Sequence, residues 1–186
     1  MGKIYDGETD HRSTTLESRL RLVIDTIPEQ VWSALPDGSI DFVNQRWQDY
    51  TGLSLEEGLG WRARVAVHQE DLPLLEDGWR RAVATGEPFE REARFRRADG
   101  EYRWFLLRAV PLRDELGSIV RWYGTSIDIE GRKQVEEIRT SQARQASMRA
   151  DVSAAFSKPD SPRGSLGQCV EAIVRHLDAA FARVWT

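Results

Sequence analysis

Apolar residues along the chain follow two different periods, one typical of helices and one typical of strands. Spacings of three and four residues predict an amphipathic helix over 14–27 and a second helix over about 71–84. Each is followed by a residue type that stops helices, Pro28 after the first and Gly86 after the second. Residues 1–13 are polar and show neither period, so we expect a disordered leader there.

The strand period of two is clearest in the middle of the chain, where it predicts strands over 89–97, 102–112 and 119–129. Asp99-Gly100 joins the first two as a hairpin. An earlier pair of short strands flanks Pro36-Asp37-Gly38, a turn signal because proline presets φ and glycine accepts a positive φ. Together with the helices, these strands predict an α+β domain: a five-stranded antiparallel sheet with helices on one face.

We expect the sheet domain to occupy 28–129, because the composition changes after it. Residues 130–157 are charged, free of proline and helix-favouring, which predicts a helical linker with a polar seam of adjustable register. Residues 158–186 begin with a cluster of prolines and serines and go on to an amphipathic helix and a strand-like end. A lone helix and strand cannot bury their apolar faces, so we expect these residues to be the truncated start of a second domain.

Composition narrows the function classes. The 186 residues carry a formal net charge of -4, so no basic excess is available to hold a phosphate backbone, and we expect no nucleic-acid partner. Cys169 is the single cysteine, which excludes an intrachain disulfide and a multi-cysteine zinc site. No apolar run is long enough to cross a bilayer and the N-terminus is no signal peptide, so we expect no membrane segment and a cytoplasmic location.

Two long stretches, "WSALPDGSIDFVNQRWQDYTGLSLEE" and "FRRADGEYRWFLLRAVPLRDELGSIVRWYGTSIDIEGRK", belong to a resemblance that covers residues 22–137. This region resembles a PAS domain of the kind that carries a C-terminal PAC motif, and residues 158–186 are similar to the start of a GAF domain. The resemblance implies a sensory and relay module of a bacterial multidomain signalling protein, such as the input region of a sensor histidine kinase. Two alternatives stay open: a ligandless dimerisation scaffold and the input domain of a cyclic-dinucleotide enzyme.

The same resemblance implies how a signal would leave the domain. The last strand of the sheet is followed directly by an output helix, and the junction lies at Asp128, Ile129 and Glu130. We expect these three residues to relay the signal toward a downstream output domain. A small change in strand packing would then shift the equilibrium between two pairings of that helix. We expect a homodimer in which the N-terminal helix forms the contact, through Leu16, Leu20, Val23 and Ile27.

Large aromatic residues are frequent within the predicted sheet domain, and they allow two interpretations. They fill the core, since each buries about 150–250 Å², or some of them line a pocket between sheet and helices for a small apolar or aromatic ligand. Large indoles filling the space would leave little room for a cofactor. The candidates for pocket or core are Trp47, Tyr50, Trp61, Trp79, Phe95, Trp104 and Trp122.

The sequence names no cofactor, and two common ones lack their ligands. A haem-binding histidine is expected on the long helix, whereas His68 precedes that helix, and a flavin adduct needs a cysteine inside the domain, whereas Cys169 lies outside it. We interpret the acids around Asp71 as a helix start with Asp71 as its N-cap, and we expect no metal site. No catalytic set of residues stands out, so we expect any catalysis of the parent protein to lie outside this chain.

Overall fold

The computed structural model describes residues 19–157. The predicted leader, Leu16 and the GAF-like segment 158–186 therefore fall outside the described residues. In chain order the elements are helix α1 (19–26), strands β1 (Gln30–Ala34) and β2 (Ile40–Val43), helices α2 (Gln45–Thr51) and α3 (Leu55–Gly58), a 3-10 helix (Arg62–Ala66), helix α4 (Leu72–Thr85), strands β3 (Phe89–Arg96), β4 (Tyr102–Arg113) and β5 (Ile119–Asp128), and helix α5 (Glu130–Ser157).

The five strands form one antiparallel sheet in the order β2-β1-β5-β4-β3. This confirms the predicted α+β class and the five-stranded antiparallel sheet. Alternation along β4 assigns the faces: Phe105, Leu107 and Ala109 are buried on the inner face, whereas Arg108 and Val110 are exposed on the outer face. The sheet and its helices form one compact unit that ends at Glu130, and the rest of α5 belongs to a second unit.

Asn44 ties the start of the domain together. Its side chain is fully buried and donates from Nδ2 to the backbone oxygens of Glu29 (3.1 Å) and Ile24 (3.4 Å). Its Oδ1 accepts from the backbone N–H groups of Val31 (3.1 Å) and Trp47 (3.2 Å), the latter as the N-cap of α2. One amide thereby fixes α1, β1 and α2 relative to each other.

Trp79 of α4 holds that helix against the inner face of the sheet. Its ring meets Trp32, Phe89 and Trp122 edge to face at centroid distances of 5.6, 5.1 and 5.1 Å. Its Nε1 donates to the backbone oxygen of Gly38 at 2.9 Å, in the predicted Pro36-Asp37-Gly38 turn, where Gly38 has φ 88°. The turn between β1 and β2 is thereby connected to the helix on the other side of the core.

Glycine at position 124 makes room for the ring of Trp32. The two residues are register partners on β5 and β1, and a Cβ at Gly124 would lie 2.3 Å from the Trp32 ring. No side chain fits at that distance, so the indole lies flat over the glycine backbone only because position 124 has no Cβ.

The predicted N-cap role of Asp71 is wrong. Asp71 has φ -88° and ψ -22°, already in the helical region, whereas a capping residue is extended, and its carboxylate makes no capping bond in α4. The carboxylate instead accepts from Arg94 on the edge strand β3, from the backbone N–H (2.8 Å), from Nε (2.8 Å) and from Nη2 (2.7 Å). These bonds lower the pKa of Asp71 from its ordinary value and satisfy an edge N–H that would otherwise be open.

Candidate functional site

A cavity of about 110 Å³ lies between the inner face of the sheet and the helices. Its wall is almost entirely apolar, and ligands of drug size occupy about 300–1,000 Å³, so the space suits only a few non-hydrogen atoms. Residues of β1, α2, α4 and β3 supply most of its aromatic wall, and the lining includes Trp32, Val43, Trp47, Trp61, Trp79, Phe89, Phe95 and Leu107.

The structure separates the predicted aromatic set into different places. Trp47, Trp79 and Phe95 are buried and line the cavity, and Trp61 stands at its wall with half of its surface exposed. Trp122 is completely buried in the core beside the cavity, and its Nε1 has no hydrogen-bond partner within residues 19–157. Three of the seven predicted residues, Trp47, Trp79 and Phe95, thus serve both as core and as cavity wall.

Trp104 belongs to neither the cavity wall nor the buried core cluster. Its neighbour Phe105 is buried on the inner face, so the alternation of β4 sends Trp104 to the outer face. There the guanidinium of Arg94, its register partner on β3, lies 5.3 Å from the ring centroid. The sequence prediction named Trp104 as a candidate for pocket or core and did not name Phe105, although the two are consecutive and must face opposite ways.

Trp32 is a cavity residue that the sequence prediction omitted. It lies on β1, where Trp32 and Ala34 face inward two residues apart, and its Nε1 donates to Ser126 Oγ at 3.2 Å. The signal was present in the short run QVWSA, whose alternation gives Trp32 the same parity as the buried Ala34. Since Trp79 also has a partner for its N–H, these two cavity indoles offer a ligand only apolar surface.

At the other end of the sheet, β5 passes into α5 with only Ile129 between them. Ile129 N–H donates to the backbone oxygen of Trp104 (2.8 Å), and Glu130 Oε2 accepts from Trp104 N–H (3.0 Å). Asp128 Oδ1 accepts from Glu130 N–H at 2.8 Å, while Asp128 Oδ2 lies 3.7 Å from Arg103 Nη1. The three predicted relay residues thus contact both strand β4 and the first turn of α5; we call Asp128, Ile129 and Glu130 the hinge.

The fold agrees with a comparison to known protein families. Residues 40–126 match the family model described as the PAS fold. This region has the PAS fold. Among solved structures, the PAS domain of an HTR-like protein from Haloarcula marismortui aligns with a TM-score of 0.53 at 21% identity, over 67% of this chain and 100% of that one. A sensory box histidine kinase/response regulator from Burkholderia thailandensis aligns with a TM-score of 0.51 at 20% identity, over 69% and 98%.

Two curated relatives align with this chain over 118 residues each. Protein y4lL of Sinorhizobium fredii, described as uncharacterized, is 40% identical over 118 residues, which is 63% of this chain and 14% of that protein. The peroxide stress-activated histidine kinase mak1 of Schizosaccharomyces pombe is 36% identical over 118 residues, which is 63% of this chain and 7% of that protein. The chain is therefore related to a segment of a histidine kinase, and it spans only a small part of the length of these relatives.

Other candidate chemistry around the PAS domain is limited. No group of three or more histidine, cysteine, aspartate or glutamate side chains within residues 19–157 is arranged to hold a metal ion. His68 packs edge to face on Tyr102 at 4.7 Å and accepts from Glu70 N–H at 3.3 Å, the local bonding of a loop residue. Over the same residues, no helix has both the length and the apolar character that a membrane crossing requires. Cys169 falls outside the described residues.

Proposed function

We propose that this chain is the sensory and relay region of a multidomain sensor histidine kinase, of the bacterial cytoplasmic type. The hinge is the observation that carries the proposal. The backbone N–H of Ile129 and the side chain of Glu130 both bond to Trp104, which attaches the start of α5 to strand β4, so a change in strand packing would reach α5 directly. The relationship to the histidine kinase mak1 supports the choice of output.

Three further parts of the proposal concern the flanks. The strands that lead to the hinge are assigned to a PAC motif, and residues 158–186 to the start of a GAF domain, both on sequence resemblance. Homodimerisation through α1 is supported by Leu20 and Val23, which expose 54% and 61% of their surface. Ile27, the third described residue of the predicted dimer contact, is partly covered within its own chain.

The inner cavity is proposed to bind a small apolar ligand, if the domain senses by ligand binding. Its volume of about 110 Å³ and its saturated indole N–H groups favour a compact molecule without strong hydrogen-bonding groups. The second candidate function is a dimerisation scaffold without a ligand. The small volume of the cavity favours it, because a closely filled core is stable without a bound molecule.

Asp128→Ala tests the relay. Loss of the bond from Glu130 N–H should leave the circular dichroism spectrum and the thermal midpoint of the PAS domain near those of the wild type, because Asp128 is exposed. Autophosphorylation of the full-length parent kinase should change several-fold, since the first turn of α5 loses its cap.

Asp114→Ala is the matched control. Asp114 Oδ1 accepts from Leu116 and Ser118 N–H in the β4–β5 turn, a similar local bond far along the strand from the hinge. It should leave autophosphorylation unchanged. Equal autophosphorylation in wild type and Asp128→Ala would reject the relay role of Asp128.

A further inference from the structure

We infer that the PAS domain carries a second binding site, a polar pocket that takes a small organic cation. The pocket has a volume of about 470 Å³ and lies where α2 crosses the beginning of β1 and the end of β5. Ser126 lines both this pocket and the apolar cavity, but the other walls differ. The residues that the argument uses are Glu29, Gln30, Asp49, Tyr50 and Asp128; we call this site the polar pocket.

Gln30 supplies the first argument. Its side chain lines the polar pocket and is only 3% exposed, and its Oε1 has no hydrogen-bond partner among the described residues. Buried acceptors are nearly always satisfied, and an exception in a native structure requires an explanation. A donor group of a molecule bound in the polar pocket would satisfy Oε1.

The charges around the pocket supply the second argument. Three carboxylates line it: Glu29 just before β1, Asp49 on α2 and Asp128 at the end of β5. Of the two lining guanidinium groups, that of Arg97 has carboxylate partners, whereas that of Arg46 has none within residues 19–157. Arg97 is paired with Asp99 and Glu101, and Arg46 donates to the backbone oxygen of Pro28 at 3.2 Å.

The three lining carboxylates therefore outnumber the one lining guanidinium without a carboxylate partner among the described residues, that of Arg46, a balance that favours a cation over an anion. Asp49 Oδ1 accepts from Gln45 Nε2 at 2.8 Å, which leaves its second oxygen for a ligand.

Tyr50 is consistent with this balance. Burial, followed by the negative charge of Asp128, raises the pKa of the Tyr50 phenol to about 12. The phenol stays protonated at neutral pH, and its ring forms part of the pocket wall together with Phe105 and Ile127. A ligand with a short carbon chain would pack on this wall.

A primary ammonium or guanidinium group on that chain would supply the N–H donor for Gln30 and the charge for the carboxylates. Asp128 lines the polar pocket and also accepts from the N–H of Glu130 at the start of α5. A bound cation would therefore compete with α5 for the carboxylate of Asp128. This last step, unlike binding, rests on the proposed function.

Calorimetric and NMR titrations of the whole chain test the site. The probes are putrescine, agmatine and phenethylamine, and 1,4-butanediol is the neutral control that matches putrescine in length. At least one amine should bind and shift the side-chain amide resonances of Gln30, while the diol should shift nothing at the same concentration. Failure of all three amines, or equal binding of the diol, would overturn the cation site.

Asp49→Asn localises the binding. Asp49 is exposed on α2, so the fold should be retained, and the affinity for the amine should fall at least tenfold. Asp77→Asn removes an exposed carboxylate of α4 that pairs with Arg80, and it should leave the affinity unchanged. Equal losses in both variants would mean attraction to the net negative charge and no specific site. None of these titrations depends on kinase output, so they can fail while the relay test succeeds.

Discussion

The apolar cavity and the polar pocket border the same helix, α2, but they differ in how their polar groups are satisfied. In the cavity wall, Trp32 and Trp79 both have partners for their N–H groups, in Ser126 and Gly38. In the polar pocket, Gln30 keeps an acceptor without a partner among the described residues. The dense set of aromatic residues therefore forms the core and the wall of the apolar cavity, whereas the polar pocket combines an unsatisfied acceptor with three carboxylates in its lining.

Helix α2 divides its residues between the two spaces. Trp47 is buried and faces the apolar cavity, whereas Asp49 and Tyr50 line the polar pocket. The orientation of α2 therefore decides the shape of both the apolar cavity and the polar pocket. The strongest test of the comparison is to remove the side chain that caps the first turn of α2.

Asn44→Ala should have the largest effect, because it disturbs both spaces at once. Four hydrogen bonds of a fully buried amide are lost, including those to backbone groups of Glu29 and Val31, while the Trp47 N–H keeps only its bond to the backbone oxygen of residue 44. We expect a loss of about 3–5 kcal/mol in the free energy of unfolding, given about 1–3 kcal/mol for a buried group left unsatisfied and a similar cost for a lost N-cap. Urea unfolding followed by tryptophan fluorescence measures it.

The neighbouring Gln45→Ala is the matched control. Gln45 is exposed and its side chain bonds only to Asp49 in the contacts described, so its removal should cost less than about 0.5 kcal/mol. Equal stability of Asn44→Ala and Gln45→Ala would show that the buried amide does not organise α2.

Gly124→Ala should damage the apolar cavity and spare the polar pocket. The added Cβ would lie 2.3 Å from the Trp32 ring, so the indole must move into the cavity it borders. Forced repacking of this kind costs about 1–3 kcal/mol. The free energy of unfolding should fall by that amount. The variant should still bind amines, because the residues that line its polar pocket are unchanged.

Gly131→Ala gives the opposite control, because a Cβ there meets nothing within 4 Å and the residue lies in α5. It should keep or slightly raise stability, since alanine favours helices over glycine. A Gly124→Ala protein as stable as Gly131→Ala would contradict the close approach of Trp32.

Sequence patterns predicted the sheet well because each strand has a clear period of two and each turn carries its own chemistry. The turn at Asp99-Gly100 and the strands on either side of it agree with prediction within one or two residues. Sequence patterns gave wrong predictions where the role of a residue depends on contacts with residues distant in the sequence. Asp71 sits where an N-cap would be, yet it bonds to Arg94, 23 residues later.

The candidate site shows the same division. Parity along a strand could have placed Trp32 inside and Trp104 outside, because each has a neighbour of known direction. No pattern could have shown that Gln30 would lack a partner, because its surroundings come from α2, β4 and β5 at once. The hinge was expected from family resemblance, and its hydrogen bonds to Trp104 add the physical connection that the resemblance did not contain.

The smallest expected effect is the change in stability that follows protonation of Asp71, which lies where α4 begins. The hydrogen bonds from Arg94 lower the pKa of Asp71 in the folded state, so the ionised carboxylate stabilises the fold. That contribution is fully present above the unfolded pKa of about 3.9 and is lost as the pH falls through the lower folded pKa.

Asp71→Asn should therefore be less stable than wild type at pH 7, and the difference in the free energy of unfolding should shrink as the pH falls below about 4. Urea unfolding at several pH values measures it. Asp77→Asn, an exposed substitution on the same helix, shows how much comes merely from removing one acid charge. Amine binding at pH 7 should be equal in wild type and Asp71→Asn, because Asp71 is no part of the polar pocket wall. A constant gap between wild type and Asp71→Asn from pH 7 to pH 3 would mean that the pair with Arg94 acts through its geometry, independently of the charge on Asp71.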